Sequence, residues 1–319
     1  MFGSLAIAVG VGQFPPAARP NATAAAIAAA SLSALQTPTD PLPHVCDPFG
    51  DLSTTRPVDN TCGLQGDPGA SGGQQAQNRV KNNFCAHQNG DSATITRVTF
   101  DRLQTHTPSK ATLPWGSRTA IPATDAARHA LHDLYTTTNG HTVGEGSYVQ
   151  FVGYILEGHF GGAESVNCDL NQRQNVDIHL ALVTVRPSTL DLTNYDSECT
   201  SVTAEISGHH RPIDRDILGR MTKTGTGRKL TGAQEKLADE NLRRPIRIKG
   251  QLMFDASNSL CANGHRTSGN PARRSGWEIH PVYSLDVCHN ATTLATCRID
   301  DESRWRPLDR FLDPGGEGD

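Results

Sequence analysis

The feature that most narrows the fold is a set of alternating segments in the second half of the chain, two of which carry a glycine in mid-segment. Residues 146–160 (GSYVQFVGYILEGHF) and 244–256 (RPIRIKGQLMFDA) alternate apolar and polar side chains around Gly153 and Gly250. Period-two alternation is the mark of a half-buried strand, and a glycine within it marks a bulge or a sharp bend. A strand that bends sharply can serve two sheets at once, which a small barrel requires.

The remaining segments set the order. ESVNCDL (164–170) reads as a short second strand and NVDIHLALVTV (175–185) as a third. CTSVTAEIS (199–207) reads as a strand or a strand extension. A polar, helix-forming connection follows, with RDILGRM and TGAQEKLADENL, and then 244–256 and GWEIHPVYSLDVC (276–288) as the last two strands. Three strands, a helical connection and two strands are the order of an OB-like five-stranded barrel, a mainly β fold. A β-sandwich is the alternative. The barrel is expected over residues 144–290, after a signal-like or disordered stretch (1–40) and a cysteine-containing mixed or irregular segment (41–140). A tail at 291–319 would follow it. The halves VGYILEG…NVDIHLAL and KGQLMFD…GWEIHPVY look alike, but half a barrel could not hide its sheet edges.

Within residues 76–136, QQAQNRVKNNFC predicts a short helix ending at Asn82-Asn83. ATITRVTFDRLQ predicts a strand running into a helix start. Thr124-Asp125 caps a helix through AARHALHDLYTT, with Ala126, Ala130, Leu131 and Leu134 at helical spacing.

Eight cysteines, Cys46, Cys62, Cys85, Cys168, Cys199, Cys261, Cys288 and Cys297, are even in number and dispersed. None has the spacing of a zinc ribbon or finger, so they predict disulfides and a secreted, periplasmic or cell-surface protein. Cys261–Cys288 and Cys168–Cys199 are candidate pairs, leaving Cys46, Cys62, Cys85 and Cys297 to tie the N-terminal segment to itself and to the tail. LAIAVGVG and ATAAAIAAASLSAL could belong to a signal peptide, though neither has a charged start and an A-x-A end. No run reaches the roughly 18 strongly apolar residues of a membrane span.

Two acid–x–His strands carry the candidate chemistry. Asp177 and His179 share one strand face, as do Glu278 and His280. If strands three and five adjoin at the barrel closure, the four converge. Two imidazoles and two carboxylates suit a divalent metal (Zn, Mn or Cu) or acid–base catalysis, which makes a metal-dependent or His/carboxylate hydrolase of phosphoesters one candidate function. The competing reading is an ion pair latching two strands. Arg273, Arg274, His209 and His210 are candidate ligand contacts. Between Arg211 and Arg274, fourteen Lys/Arg face six Asp/Glu in a chain of formal net charge −4, so a polyanionic ligand is one candidate partner. The other candidate function is therefore an exported ligand- or partner-binding module. GDPGASGG (66–73) holds Pro68 where a serine protease would need its nucleophile, which excludes that chemistry.

Taken together, NNFCA, ESVNCD, DIHLAL, SVTAEISGHHRP, GQLMFDAS and WEIHPVY resemble a set of hypothetical bacterial exported proteins over roughly residues 55–290. The resemblance implies export and assigns no catalytic residue. The core also loosely resembles OB-type nucleic-acid binders by strand order and glycine placement. It lacks their stacked aromatics: Tyr148, Phe151, Tyr154, Phe160, Tyr195, Phe254, Trp277 and Tyr283 make no run of exposed pairs.

Overall fold

A computed structural model describes residues 61–63, 65–86, 90–107, 122, 124–186, 195–210, 243–258, 260–267, 272–289 and 291–308. The elements in chain order are α1 (Gly72–Lys81), β1 (Ala93–Thr94), α2 (Arg97–His106), α3 (Asp125–His129), β2 (Tyr135–Thr136) and β3 (Thr142–Val143). They continue with β4 (Tyr148–Phe160), β5 (Ile178–Val183), β6 (Val202–Ile206), β7 (Ile246–Phe254), β8 (Trp277–Cys288) and β9 (Trp305–Pro307).

Strands β4 to β8 close a five-stranded mixed barrel in the order β4-β5-β6-β8-β7, with β7 returning to β4. Every barrel pair is antiparallel except β6 with β8, where Thr203 and Ala204 lie beside Glu278 and Ile279 in parallel. A parallel pair between the third and fifth strands is the OB-like topology. The closure depends on β4. Its first half, Tyr148 to Gly153, pairs with β7, and its second half, from Tyr154, pairs with β5. The change of partner falls at Gly153, where a Cβ would lie 2.9 Å from the Val183 carbonyl oxygen and 2.8 Å from the Phe151 ring. Gly250 performs the same service in β7. The β7–β8 register shifts on either side of it, and a Cβ there would lie 2.5 Å from the Pro281 carbonyl oxygen. Both mid-strand glycines therefore sit where one backbone crosses close to another.

Three segments depart from expectation. ESVNCDL is not a strand: Ser165–Asn167 is one 3-10 turn, and Cys168 and Asp169 follow with φ of 53° and 57°, outside strand geometry. β5 is therefore the second barrel strand, and β6 is the third rather than an extension. The helix capped by Thr124 ends at His129, and Asp133 takes φ 34° before β2. The tail is integrated in part, because β9 pairs with the end of β8. The helical connection of residues 211–242, including Arg211, lies outside the described residues.

The barrel interior is apolar. Ile178, Leu180, Leu182, Val202, Ala204, Ile206, Ile248, Phe254, Trp277 and Ile279 join one buried cluster with Phe100 and Leu103 of α2. Phe100 meets Phe151 edge-on, with centroids 6.0 Å apart, and Trp277 Nε1 donates to Thr107 Oγ1 at 2.7 Å. Each such side chain, fully buried, stabilises the fold by roughly 1.5–3 kcal/mol.

The N-terminal segment covers part of the barrel's outer wall. Ser71 caps α1 reciprocally with Gln74, and the helix ends at Asn82, as NNF predicts. Gln251 on β7 donates to the Val80 carbonyl at 2.8 Å, and Tyr283 on β8 donates to the Asn83 carbonyl at 2.5 Å. Disulfides join Cys62 to Cys168, Cys199 to Cys261 and Cys288 to Cys297, and Cys85 is also bonded. These pairings replace Cys168–Cys199 and Cys261–Cys288. Cys62 draws Cys168 because the cover lies on the turn that replaces the expected second strand, and Cys288 closes onto the tail that β9 brings alongside.

Candidate binding site

Alternation aims one face of each strand into the barrel and the other at the cover. On β5 and the residue before it, Ile178 and Leu180 point inward, so Asp177 and His179 point outward. On β6 and the residue after it, Glu205 and Ser207 point outward. On β8 the same holds for Glu278 and His280, while Trp277 and Ile279 fill the interior. The outward positions would meet water on an open barrel. Here α1 and the turn at 164–167 lie over them, and Asp177, Glu205, Asp255, Arg273, Glu278 and His280 are all buried.

These groups form one charged layer. Arg273 lies between two carboxylates, donating from Nη2 to Glu205 Oε1 at 2.5 Å and from Nη1 to Glu278. His280 Nδ1 lies 3.1 Å from Glu278 Oε1 and 2.9 Å from Glu205 Oε2, while its Nε2 faces Asp177 Oδ2 at 3.5 Å. His179 Nδ1 lies 3.6 Å from Glu205 Oε1, and its Nε2 lies 3.7 Å from Glu164 Oε1. Lys81, at the end of α1, reaches Glu164 at 3.0 Å and lies 3.9 Å from both Glu205 and Asp255.

The electrostatics follow from burial set against neighbours. Burial alone would lower the Lys81 ammonium, yet Glu164, Asp255, Glu205 and Glu278 hold it well above its ordinary value. Burial likewise opposes charge on His280, but Glu205, Glu278 and Asp177 push its imidazole up to about 10. Asp255 is drawn down to about 2, because Lys81 and Arg273 outweigh its burial. Two carboxylates share Arg273 and His280 and respond in opposite directions. Burial would raise Glu205, but His179, Arg273 and Lys81 hold it well below its usual range. Burial and the neighbouring Glu205 charge raise Glu278.

Above the layer lies an open cleft of about 450 Å³. One wall is the start of α1 and the loop before it, with Asp67, Gln74, Gln77 and Asn78. The opposite wall runs from Gly162 to Ser165 and includes Asp169, while Ser257 and Asn258 close a side. Lys81 joins cleft to layer, since it lines the cleft and also faces Glu205 and Asp255. Gln77 makes a second link, donating to Ser257 Oγ at 2.9 Å and to Asp255 Oδ1 at 3.1 Å. The lining carries carboxylates, amides and hydroxyls, and no aromatic ring among the described residues.

The predicted acid–x–His residues do converge, but by another route. β5 is separated from β8 by β6, so Asp177 reaches His280 across Glu205, and His179 touches neither Glu278 nor His280 directly. Arg273 is a buried counterion within the layer. Arg274 instead pairs with Asp101 of α2 at 2.5 Å. His209 is buried with Nε2 3.2 Å from the Val166 carbonyl oxygen, in a 3-10 turn that also holds His210. Glu205, Lys81 and Asp255 were not anticipated. Glu205 carried the one available signal, a lone carboxylate at an outward position of an otherwise uncharged strand. The sequence matches no family model, and no curated protein or solved structure is similar to it.

Proposed function

We propose that the protein is an exported binding module of OB-like architecture, whose ligand occupies the cleft between α1 and the 162–169 turn. The observation that carries this reading is the lining of the cleft. Asp67, Glu164 and Asp169 outnumber one ammonium, Lys81, and Gln74, Asn78, Ser165 and Asn258 supply neutral polar groups. Such a surface suits a small neutral or cationic molecule rich in hydroxyl or ammonium donors. Part of the described basic stretch favours this over a polyanion, because three of its arginines already hold carboxylates: Arg247 binds Asp286 and Glu302, Arg273 binds Glu205 and Glu278, and Arg274 binds Asp101. Secretion to an oxidising compartment is supported by three described disulfides and by the lack of a free cysteine among the described residues. Among the described residues no helix is long and apolar enough to cross a membrane.

The hydrolase reading has less support. Its residues are under the cover, with Glu278 and His280 fully buried, and a phosphoester has no opening to them. The test is a ligand screen of the full chain by saturation-transfer NMR and thermal shift, using neutral sugars, polyamines and sugar phosphates. Neutral or cationic compounds are expected to bind, and Gln74→Leu and Asp169→Asn to weaken them. Binding confined to sugar phosphates, or unchanged by both substitutions, would sink the proposal.

A further inference from the structure

The charged layer contains a gap in its hydrogen bonding. Asp177 Oδ2 and His280 Nε2 are buried and have no hydrogen-bond partner, although their residues are only 2% and 0% exposed, and beside them the fully buried Glu205 Oε2 has only His280 Nδ1 close by, at 2.9 Å. An orphaned buried polar atom is costly, and more so where charged, so two facing each other need a reason. One ligand atom from each residue lies within 4.8 Å of the other two. From this geometry we infer that Asp177, Glu205 and His280 form a buried site for a divalent transition-metal ion, Zn²⁺ or Mn²⁺ by ligand type.

Three further observations fit that occupant. Bonds of about 2.0–2.1 Å put the ligand atoms of a tetrahedral zinc roughly 3.3 Å apart. His280 Nε2 and Asp177 Oδ2 are already 3.5 Å apart, and Glu205 Oε2 would have to turn from His280 Nδ1, 2.9 Å away, to join them. The other imidazole nitrogen, Nδ1, is held by Glu278 Oε1 at 3.1 Å. A carboxylate on the far nitrogen is the usual way a ligating histidine is oriented and made more basic. The other oxygen of Asp177 accepts from the Gly208 backbone N–H at 2.8 Å, which fixes the carboxylate with Oδ2 turned to the gap.

Charge points the same way. Asp177, Glu205, Glu278 and Asp255 face two permanent cations, Lys81 and Arg273. A ligating histidine nitrogen carries no proton, so with His280 neutral a divalent ion would offset the excess negative charge. The site is closed to substrate by the cover, so the ion's role is to bind β5, β6 and β8 together on the face opposite the apolar interior. It stands apart from ligand binding in the cleft, and either can fail without the other.

The test uses untagged full-length protein stripped with chelator, then dialysed against Zn²⁺ and separately against Mn²⁺. Metal content is read by plasma mass spectrometry and stability by thermal melting. One equivalent of at least one ion and a higher melting temperature are expected. Asp177→Asn and Glu205→Gln should abolish uptake, and Glu278→Gln should weaken it by roughly 10–100-fold, the usual effect of losing an orienting partner. His265→Ala, which removes an exposed His–Asp pair with Asp196, should change nothing. X-ray absorption on the zinc-loaded wild type should show a single imidazole with oxygen ligands, which decides the question even where a ligand variant does not fold. No uptake by wild type, uptake removed by His265→Ala, or a zinc shell of several imidazoles would overturn the site and leave His280 as the cation of a buried ion pair.

Discussion

The two faces of β5, β6 and β8 solve burial in opposite ways. Inward, Leu180, Ala204 and Ile279 pack against one another and α2, with no polar group to satisfy. Outward, one residue along, His179, Glu205 and His280 are almost equally buried, yet each faces ionisable partners. The inner face is held by area removed from water and tolerates any filling of similar volume. The outer face is held by pairing, so its stability rests on completeness. Deleting a partner there strands a charge.

The sharpest way to break this contrast is Arg273→Met, which removes the cation between Glu205 and Glu278 while keeping much of the volume. Two buried carboxylates then lose their shared partner, and a loss of about 3–5 kcal/mol is expected in urea denaturation. On the inner face, Leu180→Ala leaves a cavity and should cost about 2–5 kcal/mol. The two differ in their rescue. Adding Glu278→Gln to Arg273→Met should recover part of the loss, because it removes a stranded charge. No polar change should rescue Leu180→Ala. Equal losses without rescue would mean that the outer layer behaves like an ordinary core.

The difference between the faces also explains what was legible in the sequence. β4, β7 and β8 are long strands with clear alternation, and the glycines of β4 and β7 mark real crossings, so barrel and order could be read. β5 and β6 were harder. IHLALV and VTAEI are short, with one ionisable residue each, which blurs the polar period that separates one strand from the next, and ESVNCDL took a place in the count. The face of Asp177 and His280 was readable from period two alone. Their burial was not, because it comes from a helix about a hundred residues before Asp177 and about two hundred before His280. Nothing in QAQNRVK distinguishes a covering helix from a solvated one, and so Lys81 carried no signal. Cysteine pairing failed for a related reason. Neighbouring strands invite neighbouring pairs, but Cys62–Cys168 spans 106 residues, fixing the cover to the barrel wall.

Acid should act on the outer layer first. Asp255 has its carboxyl held at about 2 in the folded chain, against an ordinary 3.8. Lys81 of α1 and Arg273 before β8 face it, with Glu205 of β6 opposing and Ser257 donating a hydrogen bond. A depressed carboxylate stabilises the fold fully above the ordinary value, and this contribution is lost as pH falls from about 4 towards 2, on the order of 2 kcal/mol in all. Urea midpoints between pH 5 and 2 should therefore fall, and Asp255→Asn should flatten that limb. An unchanged slope in the variant would place the acid sensitivity elsewhere. Leu180→Ala should shift the whole curve down without changing its shape.

The smallest expected effect separates the cover from the wall beneath it. Ser71 accepts from the Gln74 backbone N–H, and the Gln74 side chain accepts from Ser71 N–H in return, so Ser71→Ala removes half of a reciprocal cap on α1. Loss of a cap costs about 1 kcal/mol, and Ser71 itself touches neither the barrel interior nor the charged layer. If the cover opens as a unit of its own, hydrogen exchange should quicken in α1 and at Glu205 and His280 on the outer wall. The amides of β4 and β7 where they pair, from Val149 to Gly153, should be unaffected. Uniform acceleration across all five barrel strands would mean that cover and barrel open only together. The outer face would then be as much a part of the core as the inner one, despite the difference in what holds it.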